Sequence, residues 1–342
     1  MVKNLNQLPE INDVLDFDES LFEVVGTSEE SLEKLESAPY SYWRSVGKQL
    51  MKNKVAIACI IIASIFILLT IFGPLIYDIS HAKVLENLRP VALDPFSSWT
   101  NNKGESFFFI FGTDFNGRDL WSQIWIGAQF SLKLAVVVAL IDVVVGLVIG
   151  GLWGYIRALD PIMIEISNVI SNIPSLLIYV MVLEILPNSG ESESAAFWNS
   201  VIVMSMFGWL GLASTLRNQI IIIRNREFNI ASECLGSSPF TIITHNLLPQ
   251  LISIISQIVI DYIPACISTE VSLIFFGAFP ISQISLGQVV NNAYTTQNIT
   301  KAIEGGSLHT LIVPAAVMML LTISFFYFGL AVADATDPKK HR

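Results

Sequence analysis

Six stretches of this chain are long and apolar enough to cross a lipid bilayer, and that sets aside most soluble folds. A bilayer core about 30 Å thick takes roughly 20 apolar residues in a helix. The stretches run from about Val55 to Tyr77, Leu132 to Tyr155, Ile162 to Leu186, Phe197 to Ile222, Leu247 to Phe276 and Leu311 to Ala333. The first is broken near its end by Gly73-Pro74 and the third carries an internal Pro174. Only 14% of the 342 residues are charged and the mean hydropathy is +0.60, whereas soluble domains carry roughly 25% charged residues. The fold expected is an all-α membrane protein with six transmembrane helices.

The net charge of −10 describes a tail, not the whole chain. Residues 1–40 hold ten acids against Lys3 and Lys34, which is −8 and leaves −2 for everything else. That tail also contains Leu15, Phe17, Leu21 and Phe22. It reads either as a disordered segment or as an acidic amphipathic segment that docks on a partner. Orientation follows from Lys and Arg near the span ends. Arg44, Lys48, Lys52 and Lys54 precede the first span; Arg217, Arg224 and Arg226 lie between the fourth and fifth; Lys339, Lys340 and Arg342 follow the sixth. The turn between the third and fourth is Glu191-Ser192-Glu193. All basic clusters fall on one side if both termini are cytoplasmic.

Several classes are excluded. Cys59, Cys234 and Cys266 have no metal-type spacing, and the four histidines are scattered. No GxxxxGK[ST] phosphate loop occurs, so the chain is not itself an ATPase. The first apolar run begins at Val55, too late for a cleaved signal peptide. Nothing in the charge pattern calls for nucleic acid. The Phe107–Phe111 run is too short to span and is expected to pack against the external face of the bundle.

The segment from Arg226 to Pro249 reads as two short helices with a break. Phe228, Ala231 and Leu235 recur at i, i+3 and i+7, an apolar stripe, with Glu227, Asn229 and Glu233 off it. Gly236 suits a left-handed helix stop. Ser238 suits the next N-cap, and Pro239 its first turn. A surface helix ended by a tight turn makes a rigid knob suited to a groove on another protein; the alternative is an ordinary interhelical loop.

This stretch resembles the coupling loop of type I ABC-importer permeases, in outline Glu-Ala-Ala, three residues, Gly, nine residues, an apolar residue, one more, then Leu-Pro. Ala231, Gly236, Leu248 and Pro249 match, with the same thirteen-residue Gly-to-Pro interval; Ile230 stands for the acid, Ser232 for the second Ala and Asn246 for the apolar residue. A second resemblance is more specific. Gly112-Thr113-Asp114-Phe115-Asn116-Gly117-Arg118-Asp119, with Ser122, Gly127 and Ser131-Leu132 after it, looks like the signature of the C-type permease of the oligopeptide, dipeptide and nickel importers. Asn53-Lys54 is similar to the opening of that family's first span. Asp160, Pro174, Glu270 and the Phe275-Phe276-Gly277 run fit its later spans. The tail Asp334-Ala335-Thr336-Asp337-Pro338 resembles its closing motif, with Leu330 and Ala333 where Asp and Arg are usual.

The resemblance implies a multi-pass subunit of the bacterial plasma membrane. Its parts would be an acidic cytoplasmic tail (1–44), a first transmembrane helix (45–77), an external loop (78–130), the permease core (131–334) and a cytoplasmic C-terminal tail (335–342). It also implies a homologous B-type permease, two ATP-binding subunits and an extracellular peptide-binding protein, often a lipoprotein. This chain would hold no cofactor, ATP and Mg being bound by the partner subunits. Oligopeptide is the implied cargo, with dipeptide or nickel as the alternative within the family. The loop residues implied to meet the ATPase are Glu227, Ala231, Ser232, Glu233, Gly236, Ser237, Pro239 and Pro249. Asp114, Arg118 and Asp119 read as an ion-paired turn that fixes the start of the second span, or as a contact for the binding protein. Asp142, Asp261 and Glu270 are intramembrane acids, which normally face the bundle or water. They read as interhelix hydrogen bonds or cavity lining. In an ion-coupled secondary transporter or channel, a reading of another class, they would be the coupling sites.

Overall fold

The computed structural model describes residues 42–76, 92–100, 104, 106–186, 193–279 and 284–336. The readings made on residues 1–41, on residues 77–91, on the Glu191-Ser192 turn and on Asp337-Pro338 lie outside the described residues. Within them the chain is helical apart from one small hairpin. Five helices are long and apolar enough to cross a membrane, and a bent pair supplies a sixth crossing if counted as one.

The first crossing is α2 (Lys54–Ile76), separated from α1 (Tyr42–Lys52) by Asn53. The Asn53 side chain accepts hydrogen bonds from the N–H groups of Val55 (3.0 Å) and Ala56 (3.3 Å). It thereby satisfies donors that a helix start leaves open. The hairpin pairs β1 (Ser97–Thr100) with β2 (Ser106–Phe109), antiparallel, with Trp99 opposite Phe107 and their rings stacked at 6.2 Å. Phe109 is buried, and Phe111 lies 5.1 Å from Trp121. The aromatic run therefore meets the bundle through its second half.

The second apolar run lies in a helix that begins before it. That helix is α3 (Leu120–Tyr155, 36 residues), beginning well inside the stretch assigned to the external loop. Hydropathy hides this start because residues 120–131 mix polar with apolar side chains. The third run is two helices, α4 (Asp160–Asn172) and α5 (Ser175–Ile185), meeting at 80°. Pro174 is the cause. Its ring removes a backbone donor and drives the preceding residue out of helical space, and Ile173 is accordingly extended at φ −98°, ψ 128°.

The fourth span is α6 (Glu193–Arg224). The loop after it holds α7 (Glu227–Cys234), α8 (Pro239–Thr241), a π turn (Ile242–Leu247) and a 3-10 turn (Leu248–Leu251). These turns occupy the stretch in which the fifth span was expected to begin, so that span is α9 (Ile252–Phe275). Two short helices, α10 (Leu286–Tyr294) and α11 (Thr296–Glu304), precede the last span, α12 (His309–Thr336).

A close helix–helix seam joins α3 to α6. Gly146, Gly150 and Gly154 recur at every fourth position of α3. A Cβ on Gly150 would meet the Ala213 backbone, and one on Gly154 would meet Ile220. Small residues at this spacing let helix backbones approach, which is how spans associate where lipid offers no hydrophobic contrast. Around the seam, Leu212, Leu216, Ile220 and Ile223 of α6 form one buried cluster with Ile242, Leu247 and Leu251 of the following loop.

Candidate functional site

The loop after α6 is fixed at its base and bare at its tip. At the base, the Arg224 Nη1 donates to the carbonyls of Gly154 (3.0 Å) and Tyr155 (2.8 Å), closing the open end of α3. Asn229, buried, donates from Nδ2 to the Ile223 carbonyl at 2.8 Å and ties α7 back to α6. Ile242 and Leu247 are buried against α6, each worth about 1.5–3 kcal/mol relative to exposure. The side of α7 turned to the bundle is thus Asn229, and the apolar stripe points away.

The turn at the tip follows from local chemistry. Gly236 has φ +83°, the left-handed region that costs glycine little. The Leu235 N–H bonds the Ala231 carbonyl (3.0 Å), and the Ser237 N–H reaches back to the Ser232 carbonyl (3.1 Å). The second bond spans six residues, the Schellman closure of a helix end. The Ser238 hydroxyl then accepts from the Thr241 N–H at 3.2 Å and Pro239 opens α8. Glu227 stands in the first turn of α7, where an acid suits the helix dipole. Ala231 is exposed, Ser237 is half-buried, Glu233 lies in α7 and Pro249 in the 3-10 turn. Leu235 is 86% and Phe240 74% exposed, with Phe228 and Ile230 also open. Clustered apolar exposure on a well-fixed turn is a feature that interaction surfaces share.

The Gly112–Asp119 signature folds into a different kind of device. Asp114 Oδ1 accepts from the N–H groups of Asn116 (2.9 Å) and Arg118 (2.8 Å), while Gln123 Nε2 donates to Oδ2 at 3.1 Å. Among the described residues no ion pair joins Asp114 to Arg118, so the expected ion-paired turn is instead a carboxylate-to-backbone turn. Short Asp side chains favour such bonds because the backbone donors lie within reach. Burial pushes the Asp114 carboxyl above the usual carboxylate range, and the hydrogen bonds from Arg118, Gln123 and Asn116 offset part of that rise. Gly112 and Gly117 both have positive φ, at 77° and 75°. The Thr113 hydroxyl accepts from the Leu93 N–H at 2.9 Å. Asp119 caps α3, accepting from the N–H (2.8 Å) and hydroxyl (2.7 Å) of Ser122. Such a cap is worth about 1 kcal/mol.

The three intramembrane acids sit apart from the loop and from this turn. Asp142 of α3 is buried and faces Gly208 of α6 so closely that a Cβ there would overlap the carboxylate. Asp261 of α9 faces Gly329 of α12. Glu270 of α9 is buried and accepts from the Ser131 hydroxyl at 2.9 Å, and that hydroxyl accepts from the Leu286 N–H at 3.1 Å. This node links α3, α9 and the start of α10.

Sequence reasoning missed the polar joint beneath the loop. Arg217 of α6 meets Asp160, the first residue of α4, with Nε–Oδ1 at 2.7 Å and Nη2–Oδ2 at 2.6 Å. Trp153 Nε1 donates to the same Oδ1 at 3.0 Å. The partners are 57 residues apart, so no local spacing shows the pair. The glycine repeat in α3 was the available sign that α3 and α6 touch there.

Fold and loop together define a polytopic helical membrane protein bearing a rigid, apolar-tipped knob between two spans. The chain belongs to the family described as the binding-protein-dependent transport system inner membrane component, which matches residues 122–342. Residues 41–90 match the N-terminal TM domain of oligopeptide transport permease C. The chain is 33% identical over 328 residues to the oligopeptide transport system permease protein AmiD of Streptococcus pneumoniae, covering 95% of this chain and 99% of that one. It is 31% identical to the dipeptide transport system permease protein DppC of Bacillus subtilis, over 88% of this chain and 87% of that one. The oligopeptide transport system permease protein OppC of the same organism is 26% identical, over 94% and 97%.

Proposed function

We propose that this chain is a membrane-spanning permease subunit of an ATP-driven peptide importer. The names of its relatives supply the cargo class, and the knob between α6 and α9 carries the reading. Its base is bonded to α6 and α3, its fold is fixed by Gly236, and its apolar tip is open. Such a shape transmits force when a partner grips it. In this reading two ATPase subunits, which bind ATP and Mg, hold the knob in a groove. A homologous permease completes the path, and an extracellular binding protein delivers peptide. The chain itself does no chemistry; it alternates access to its two faces.

A tag on this chain should copurify two ATPase subunits from its native membrane, and deletion of the chain should abolish uptake of labelled peptide. Deletion with undiminished uptake would sink the importer reading. The basic clusters beside the spans support a cytoplasmic face for both termini and the knob. Cys234 is an exposed thiol on the knob, whereas Cys59 and Cys266 are buried. A membrane-impermeant maleimide should therefore label Cys234 in inside-out vesicles stripped of the ATPase subunits and spare it in intact cells. Labelling in intact cells would reverse the orientation.

A further inference from the structure

The knob is bolted to α6 and α3, and α5 is seated in the main core through Tyr179 and Leu183, but α4, the first half of the broken span, is held more loosely. No residue of α4 is buried. Its apolar contact is partial, through Met163, Ile164 and Ile170 against Trp153, Leu210 and Ala213. At its first residue the contact becomes directional. The Arg217 guanidinium grips the Asp160 carboxylate with two parallel bonds, Trp153 adds a third, and the Arg217 head lies 5.8 Å from the Trp153 ring centroid. A bidentate guanidinium–carboxylate fork fixes angle as well as distance, which a lysine cannot do.

We infer that the Asp160–Arg217 fork is the joint through which movement of the knob and α6 is delivered to the broken span α4–α5. This rests on the importer reading above. Three features support it. The side chains are partly open, at 21% for Arg217 and 30% for Asp160, and ion pairs that exposed add little to folding stability, so the fork's worth lies in position. It sits two turns of helix before Arg224, whose bonds to Gly154 and Tyr155 make the ends of α6 and α3 one body. And α4 ends at the 80° elbow before α5. A push at Asp160 turns α4 about Ile173-Pro174, where the α-helical ladder stops and the Ile173 N–H reaches only the Ile170 carbonyl at 3.3 Å. Asp160 and Arg217 are positioning residues; neither needs to touch peptide.

The test uses the reconstituted complex with Asp160→Ala, Arg217→Ala and the double variant. Each single variant should lower peptide uptake at least tenfold. The double variant should lower it no further, because both changes break one joint. ATPase copurification and basal ATP hydrolysis should stay at parental levels, since the knob is untouched, while stimulation of hydrolysis by peptide-loaded binding protein is lost. Arg217→Lys should restore only part of the uptake. Parental uptake in the single variants, or losses that multiply in the double variant, overturns the joint. If the alanine variants do not accumulate in the membrane, Asp160→Glu carries the same test, since it keeps the charge and shifts the fork by one methylene. A parental complex without bound ATPase or peptide uptake would instead overturn the importer reading.

Discussion

Replacing Gly236 with valine is expected to abolish peptide uptake while the chain remains in the membrane at its parental level. The reason is conformational, not steric. Gly236 sits at φ +83° and a Cβ there would meet nothing within 4 Å, so space is available but the backbone angle is not. A β-branched residue held in that region costs about 1–3 kcal/mol. That strain is relieved by unwinding the turn, which loses the Ser237-to-Ser232 closure and displaces Leu235 and Phe240 from their places at the tip. The spans are anchored independently by the seam and the buried clusters, so insertion should not suffer. ATPase copurification should weaken and peptide-stimulated hydrolysis should fall with uptake. Gly236→Asn is the control, because asparagine tolerates the left-handed region, and it should keep most of the activity. Parental transport by the valine variant would show that this turn is not the mechanical link.

The parts of this protein legible in its sequence are those governed by local chemistry. The Gly236, Ser238 and Pro239 punctuation of the loop is visible because each residue acts within its own turn. α2 and α12 are visible because they are apolar throughout, and their observed limits, Lys54–Ile76 and His309–Thr336, lie near the hydropathy bounds. The start of α3 is hidden because polar residues occupy its first turns, and only the Asp119 cap marks it. Pro174 announces a break, but no local signal fixes the 80° at which α4 and α5 meet. The π turn at Ile242–Leu247 has no local signature, since it exists to seat Ile242 and Leu247 on α6. The Asp160–Arg217 fork depends on the α3–α6 seam having already formed. The direction of the apolar stripe on α7 is likewise set by a tertiary contact, the buried Asn229 bonding the Ile223 carbonyl.

Gly150→Val should damage the fold severely, and its neighbour supplies the control. A Cβ on Gly150 would lie 2.7 Å from the Ala213 Cα and 2.9 Å from its carbonyl oxygen. These are backbone atoms, which cannot rotate away, so α3 and α6 must separate along the seam. Overpacking of this kind costs typically 1–3 kcal/mol, and more where the neighbour is rigid. Separation would also disturb the Arg224 bonds to Gly154 and Tyr155 and pull Arg217 away from Asp160. At Gly151, one position along the same helix, the nearest atom to an added Cβ is Ile243 Cγ2 at 3.6 Å, an ordinary contact. Both substitutions add the same β-branched side chain to α3, so intrinsic helix preference cancels between them. The purified Gly150→Val chain should accumulate poorly and unfold at a lower temperature than Gly151→Val, with the order read by thermal denaturation in detergent. Equal stability of the two would mean that the close approach of α3 and α6 at Ala213 does not hold the bundle together. The knob would then have to reach the spans by another route.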